Sequence, residues 1–502
     1  MGTATKRPVV LAAVTLALVG CSAGSTADSA GSAQEGNALA VGMVAEPTNL
    51  DFTTTDGAAI PQALLTNVYE GLVKVDESGA IVPALAKSWT ISPDRRTYTF
   101  ELATDATFSD GTPFTADDAV FSIERVKQDW TTSLAAAMDV VTSVKATSPA
   151  QVTVTLARPS NDWLYRMTTR IGAMFSRTGV DSLATKTVGT GPYTVDTWKR
   201  GDSLKLKRNP HYGGTAPYFD SVTLRYYKDP TALNNALLTG SIDVISTVQA
   251  PESLAQFTGD ERFVVTEGTT NGEVVLSFNS ARPPFDDVRV RQAARAAIDK
   301  KTLLATCWAG RGHLIGSMVA PTDPWYEDLT GVAPYDPAKA KALLAKAGTP
   351  NPAVRLRLPT LPYATSCGQV VKSDLEKVGF KVTLDQLEFP AAWITQVLRG
   401  GDYDASIIAH VEPRDLPTLY GNPKYYLHYD NKKVREAIAA ADAGDEATQV
   451  AKMKEAARVI AEDAASDWLF LLPNLTVADK DITGLPKNSL SESFDLTGLA
   501  RS

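Results

Sequence analysis

The chain has 502 residues and a formal net charge of −8, with no basic run, which argues against a nucleic-acid partner. Beyond residue 20 no apolar stretch approaches 18 residues, so no membrane-spanning helix is expected there. The body is too long for a single core, and two or three domains are expected.

The first element is an export signal. Lys6 and Arg7 precede "VVLAAVTLALV" (9–19), which is apolar apart from Thr15. The run is too short to span a bilayer stably but suits a signal-peptide core. It ends in "LVGC" (18–21), which resembles the lipobox of bacterial lipoproteins. The resemblance implies that residues 1–20 are removed and that Cys21 becomes a lipid-modified first residue. Acyl chains contribute ~0.8 kcal/mol per buried CH2, enough together for a stable anchor. Residues 21–38 are small and polar, as expected of a flexible tether. The body is thus expected on the outer, extracytoplasmic face of the bacterial cytoplasmic membrane. There the remaining cysteines, Cys307 and Cys367, are either a disulfide or two buried thiols.

The first half reads as short strands with a few helices. "RTYTFEL" (96–102) and "QVTVTL" (151–156) alternate with the strand period. "SDGTPF" (109–114) is a turn before a helix over 115–127, with Thr115 as N-cap and Asp117 and Asp118 in the first turn. Residues 188–212 read as a hairpin turning at "KRGD" (199–202).

The pattern changes near residue 272. A long helix is expected over 283–310, closed at Gly310, and another over 336–348, bounded by Asp336, Pro337 and Gly348. A strand over 353–361, a helix through 370–379 and a strand over 380–388 form a strand–helix–strand unit. A helix (391–401), a strand (403–411), a helical stretch (435–465) and a strand (468–473) complete an α/β region. No internal repeat or Gly/Ser linker separates the parts, so the chain is expected to cross between lobes more than once.

Several segments together resemble one family. "AEPTNLD" (45–51), the block 71–126, "GTGPY" (189–193), "KRNPHY" (207–212) and "LSFNSARPPFDDVRVRQAARAAIDK" (276–300) occur in the order of the peptide/nickel class, family 5, of ABC-transporter solute-binding proteins. The resemblance runs from about residue 40 to the C-terminus. It implies an α/β, two-lobed periplasmic-binding-protein fold of type II, a flytrap, with an extra inserted domain. Lobe one is expected from 39–66, 188–272 and 470–502, the inserted domain from 67–187, and lobe two from 273–469. Crossings near 272–278 and 468–476 would form the hinge. The implied function is capture of a small ligand, first an oligopeptide or dipeptide, and delivery to an ABC permease and ATPase. No cofactor, no catalysis and a monomer are expected.

Ligands in α/β lobes sit beyond the carboxyl ends of strands. "DASIIAHVEPRD" (404–415) therefore puts His410, Glu412, Arg414 and Asp415 at the cleft. By resemblance, His410 takes the place of a family Trp. Pro413 falls where peptide-binding members carry the Asp that holds the ligand's α-ammonium, so Glu412 or Asp415 would supply that carboxylate. Arg414 could instead meet a ligand carboxylate. Trp393 matches a cavity-lining Trp, and Asp56 and Ala58 match positions that pair with an extended ligand.

The alternatives are solvated loops, ordinary packing of Trp393, a metal-chelate or other non-peptide solute, and a non-transport envelope lipoprotein of the same fold. His410 and Glu412 alone are too few for a tight protein-held metal site, and none is expected. No G-x-S-x-G, H-E-x-x-H or P-loop supports an enzyme.

Overall fold

A computed structural model of the chain describes residues 37–502 with the exception of Asp56. The expected signal peptide, lipidation at Cys21 and the tether up to residue 36 lie outside the described residues, as does the Asp56 assignment. Among the described residues no helix is long and apolar enough to cross a membrane.

A ten-stranded mixed sheet organises the body. At its centre the strands Phe263–Phe278 and Ser466–Asp479 run antiparallel, and both are long enough to serve two lobes. Their pairing is irregular between Thr269 and Glu273 and again between Val274 and Val275, within the stretch expected to form the hinge. On one side lie Ala405–His410, Ala353–Pro359 and Lys381–Leu387, the last two pairing in parallel. That parallel pair is the strand–helix–strand unit, crossed by the helix Pro362–Val378. On the other side lie Val244–Ile245, Ala38–Met43, Ser221–Tyr226 and the hairpin Tyr193–Lys199/Ser203–Arg208.

The side containing Ala405–His410 is a three-layer lobe. One face buries Val274, Leu356 and Ile407 against helices that include Val288–Ala297 and Pro337–Ala347. The opposite face buries Val275, Ile408 and Trp468 against Trp393, Tyr420 and the helices Lys432–Ala443 and Glu446–Glu462. Both faces are covered, which is why these strands are nearly continuously apolar. Cys307 and Cys367 form a disulfide joining the helices Lys300–Cys307 and Pro362–Val378.

A separate four-stranded antiparallel sheet pairs Ala86–Ile91, Thr97–Leu102, Gln151–Leu156 and Val141–Ser148. The helix Ala116–Asp129 packs on it, opened by a reciprocal cap between Thr115 and Asp118. Tyr98, Phe100 and Val152 of this sheet share one apolar core with Leu39, Val41 and Leu204 of the large sheet.

Two expected helices are each divided in two. The 283–310 segment breaks at Ile298, whose backbone is extended. Asp299 then caps a second helix by accepting from Lys301 N and Thr302 N. The 435–465 segment breaks at Gly444, and Asp445 caps Glu446–Glu462 through Thr448 N. Both breaks fall at N-capping aspartates inside an otherwise continuous helical pattern.

Candidate functional site

The strand Ala405–His410 delivers His410 at its carboxyl end, and the chain then turns through 411–415 into the helix Leu416–Gly421. The turn needs a left-handed residue, supplied by Arg414 at φ 53°. It brings one ligand atom each from His410, Glu412 and Asp415 within 4.8 Å of one another. His410 and Asp415 are only 6% and 5% exposed, and Glu412 is partly buried.

His410 is held from behind. Its Nε2 lies 2.8 Å from the Tyr426 hydroxyl, which lies 2.7 Å from Ser277 Oγ. Its Nδ1 lies 3.9 Å from Asp415 Oδ2. Burial pushes the imidazole pKa down to about 4, so the ring is neutral near neutral pH.

A third carboxylate joins the group. Glu273 sits directly opposite His410 in the antiparallel ladder, which puts both side chains on one face. It is 5% exposed, and its Oε2 has no hydrogen-bond partner among the described residues. Burial, and then the Asp415 charge, push the Glu273 carboxyl well up. Burial and the Glu412 charge do the same to Asp415, and burial raises Glu412. Three carboxylates therefore crowd a water-poor pocket, where an added cation is strongly favoured.

The nearby guanidinium groups are already engaged. Arg166, from the helix Asn161–Arg166, binds Asp162 and donates to the carbonyls of Pro413 and Arg414 at 3.3 and 3.2 Å. Arg170 pairs with Glu492 and donates to Gly57 O at 3.1 Å. The Arg170 charge still reaches Glu412.

Three expectations for site residues change. Arg414 is turned away from the carboxylate cluster. Its guanidinium lies 3.8 Å from the Tyr165 ring centroid and 4.9 Å from that of Trp325, and its Nε pairs with Asp323 at 3.2 Å. Trp393 is 4% exposed, donates to Ser406 Oγ at 3.0 Å and packs on Tyr426, so it supports the pocket from within the core. Ala58 is exposed at the start of the helix Ala59–Leu64, where its carbonyl accepts from Gln62 N, an intrahelical use of a group expected to meet a ligand backbone.

The expectation of too few metal donors also changes, because the turn folds Asp415 back on His410 and Glu412. Sequence reading missed Glu273, Arg166, Arg170 and Glu492. Glu273 did carry a signal, as a lone charge opening the apolar run 274–276. So did Arg166 and Arg170, two charges within an otherwise uncharged stretch over 163–176.

The region carrying the four-stranded sheet grips the three-layer lobe at a second place. Asp442, near the end of the helix Lys432–Ala443, pairs with Arg158 and accepts from Ser160 Oγ at 2.7 Å and Asp162 N at 3.0 Å. Asn161 Nδ2 donates to the carbonyls of Ala441 and Gly444 at 2.8 and 2.9 Å, and Arg95 reaches those of Ala443 and Gly444. A cavity of about 310 Å³ lies beside this contact, lined in part by Tyr165, Trp325, Arg414 and Met453.

Residues 80–426 match the family described as bacterial extracellular solute-binding proteins, family 5. The nickel-binding periplasmic protein of Escherichia coli (strain K12) is 30% identical over 347 residues, covering 63% of this chain and 65% of its own length. Di/tripeptide-binding protein 2 of Pseudomonas aeruginosa (strain UCBPP-PA14) is 27% identical over 444 residues, covering 78% and 81%. Among solved structures, the periplasmic binding protein DppA from Helicobacter pylori, in complex with peptide STSA, superposes with a TM-score of 0.83. It is 22% identical, and the match covers 93% of this chain and 98% of that one.

Proposed function

The chain belongs to the bacterial extracellular solute-binding proteins of family 5, and we propose that it is the extracytoplasmic capture component of an ABC importer. It closes its two lobes on a small solute with a positively charged head and presents the closed form to a membrane permease and its ATPase. The observation carrying this reading is the buried convergence of Glu412, Asp415 and Glu273 on the neutral imidazole of His410. A ligand cation placed there touches one lobe while Arg170 and Glu492 approach from the other, so only the closed form gains the contact. The family fold supports a flytrap, and the continuous strands Phe263–Phe278 and Ser466–Asp479 are the hinge in this reading. The expected lobe boundaries belong to the same proposal, as do anchoring through Cys21 and action as a monomer. A dipeptide or oligopeptide α-ammonium is one cation of the required kind, and the similarity to di/tripeptide-binding protein 2 supports it. A metal chelate is the second reading, favoured by the His410, Glu412 and Asp415 donor set.

Native mass spectrometry of the full-length purified chain tests the reading. We expect a retained, non-covalent solute with a cationic group, lost when Glu412 and Asp415 are both replaced by Ala. Retention of an anionic or uncharged solute, unaffected by that change, would contradict it.

A further inference from the structure

We infer that His410, Glu412 and Asp415 form a binding site for a divalent first-row transition-metal ion, so that metal ions, free or held by a small organic chelator, are the substrate class of the cleft. The inference rests on the reading of this cluster as the capture pole of the cleft and specifies the cation.

The donor spacing is the first support. Metal–nitrogen and metal–oxygen bonds to such ligands are about 2.0–2.2 Å, so two donors on one ion stand up to about 4 Å apart. His410 Nδ1 and Asp415 Oδ2 are 3.9 Å apart, and the whole set falls within 4.8 Å. Small side-chain rotations bring all three onto one ion.

The hydrogen-bond pattern around the imidazole is the second. At 3.9 Å, an Nδ1–H would have no hydrogen bond to Asp415. The tautomer that satisfies the network puts the proton on Nε2, donating to the Tyr426 hydroxyl, which in turn donates to Ser277 Oγ. That leaves the Nδ1 lone pair aimed at the carboxylates. A histidine fixed through its far nitrogen by an oxygen partner is the usual outer support of a metal ligand. An ammonium group needs only the carboxylates and has no use for this arrangement.

Glu273 is the third and independent support. Its buried Oε2, unpartnered among the described residues, stands beside His410 on the same face. It supplies a further oxygen donor or a water-bridged charge. The mixed nitrogen and carboxylate set suits nickel, cobalt or zinc better than magnesium or calcium. Arg166, Arg170 and Arg414 do not neutralise the cluster, being engaged with Asp162, Glu492 and Asp323.

The test uses the full-length chain in detergent, stripped with a chelator and titrated calorimetrically with NiCl2, CoCl2 or ZnCl2 alone. A second arm uses the same ions premixed with free histidine, and a third uses metal-free dipeptides and tripeptides. We expect saturable one-to-one binding in the first or second arm, and the arm that binds identifies the source. The cobalt form should show visible absorption reporting nitrogen and oxygen ligation. His410→Ala and Asp415→Asn should each weaken binding at least tenfold. Glu412→Gln, at a partly exposed position that tolerates change, should weaken it with an unchanged thermal melt. Binding of peptides but of neither metal form, with dependence on Glu412 and Asp415, would overturn the metal assignment and leave cation capture standing. Metal binding untouched by all three substitutions would overturn it too. Failure of every arm to bind would remove both readings.

Discussion

Glu273 and His410 face each other across one rung of the antiparallel ladder, 137 positions apart in the chain, so that a carboxylate with an unpartnered oxygen lies beside a neutral imidazole. The pairing makes the capture pole a product of two strands rather than of one loop. Asp415 and Glu412 come from the turn after one strand, and Glu273 from the start of the regular ladder on the other.

Removing both loop carboxylates should therefore weaken solute binding strongly. We expect the double replacement of Glu412 and Asp415 by Ala to reduce affinity by about 2–5 kcal/mol, the range seen when a buried charge loses its partner. Calorimetric titration with the co-purifying solute checks this. Unchanged affinity would remove these residues from the ligand site.

The contact around Asp442 predicts a kinetic effect. Asp442 accepts from Arg158, Ser160 and Asp162, all from the other side of the contact. The Arg158 side chain is 58% exposed, so solvent screening reduces its share. Asp442→Ala should destabilise the closed form by about 1–2 kcal/mol and speed solute release by about tenfold. Stopped-flow displacement measures the release rate. Asn161→Ala should act in the same direction, because it removes two donors to the end of the same helix.

Much of this was legible in sequence because it is local. The alternation of 97–102 and 151–156, the Thr115 cap and the Asp336 and Gly348 limits depend on near neighbours and appear as expected. The cleft position of His410, Glu412 and Asp415 follows from one apolar strand ending in a polar turn. The missing parts are long-range. Nothing near residue 273 announces a partner at 410, and nothing near 166 announces carbonyls at 413 and 414. The direction of Arg414 depends on a left-handed turn and on Tyr165 and Trp325, distant in sequence. Trp393 looked like a cavity residue because a match of position does not specify which face of a packed helix it occupies.

Stability should depend on pH through Glu70, away from the cleft cluster. Burial raises its pKa from 4.5 to about 7. Between these values the folded state holds more protons than the unfolded state, so stability is greatest below about 4.5 and falls as pH rises toward 7. Glu70→Gln should flatten this fall by up to about 3 kcal/mol. Denaturant titrations of both forms at pH 4.5 and pH 7.5 make the comparison, and equal slopes would contradict it.

The Cys307–Cys367 disulfide closes a loop with a sequence separation of 60. Replacing both cysteines by Ala should lower unfolding free energy by about 2–4 kcal/mol while leaving solute affinity nearly unchanged, because the bond joins two helices in the lobe interior. Denaturant unfolding alongside calorimetry separates the two effects. An equal loss of affinity would place the bond in the capture machinery.

The central claim is closure of two lobes on an unchanged solute with a cationic head. Small-angle X-ray scattering of the full-length chain, emptied and then given back its co-purified solute, tests it most directly. The account predicts a smaller radius of gyration on addition, reversed on removal and abolished by the Glu412 and Asp415 double replacement. An identical radius with and without bound solute would contradict it.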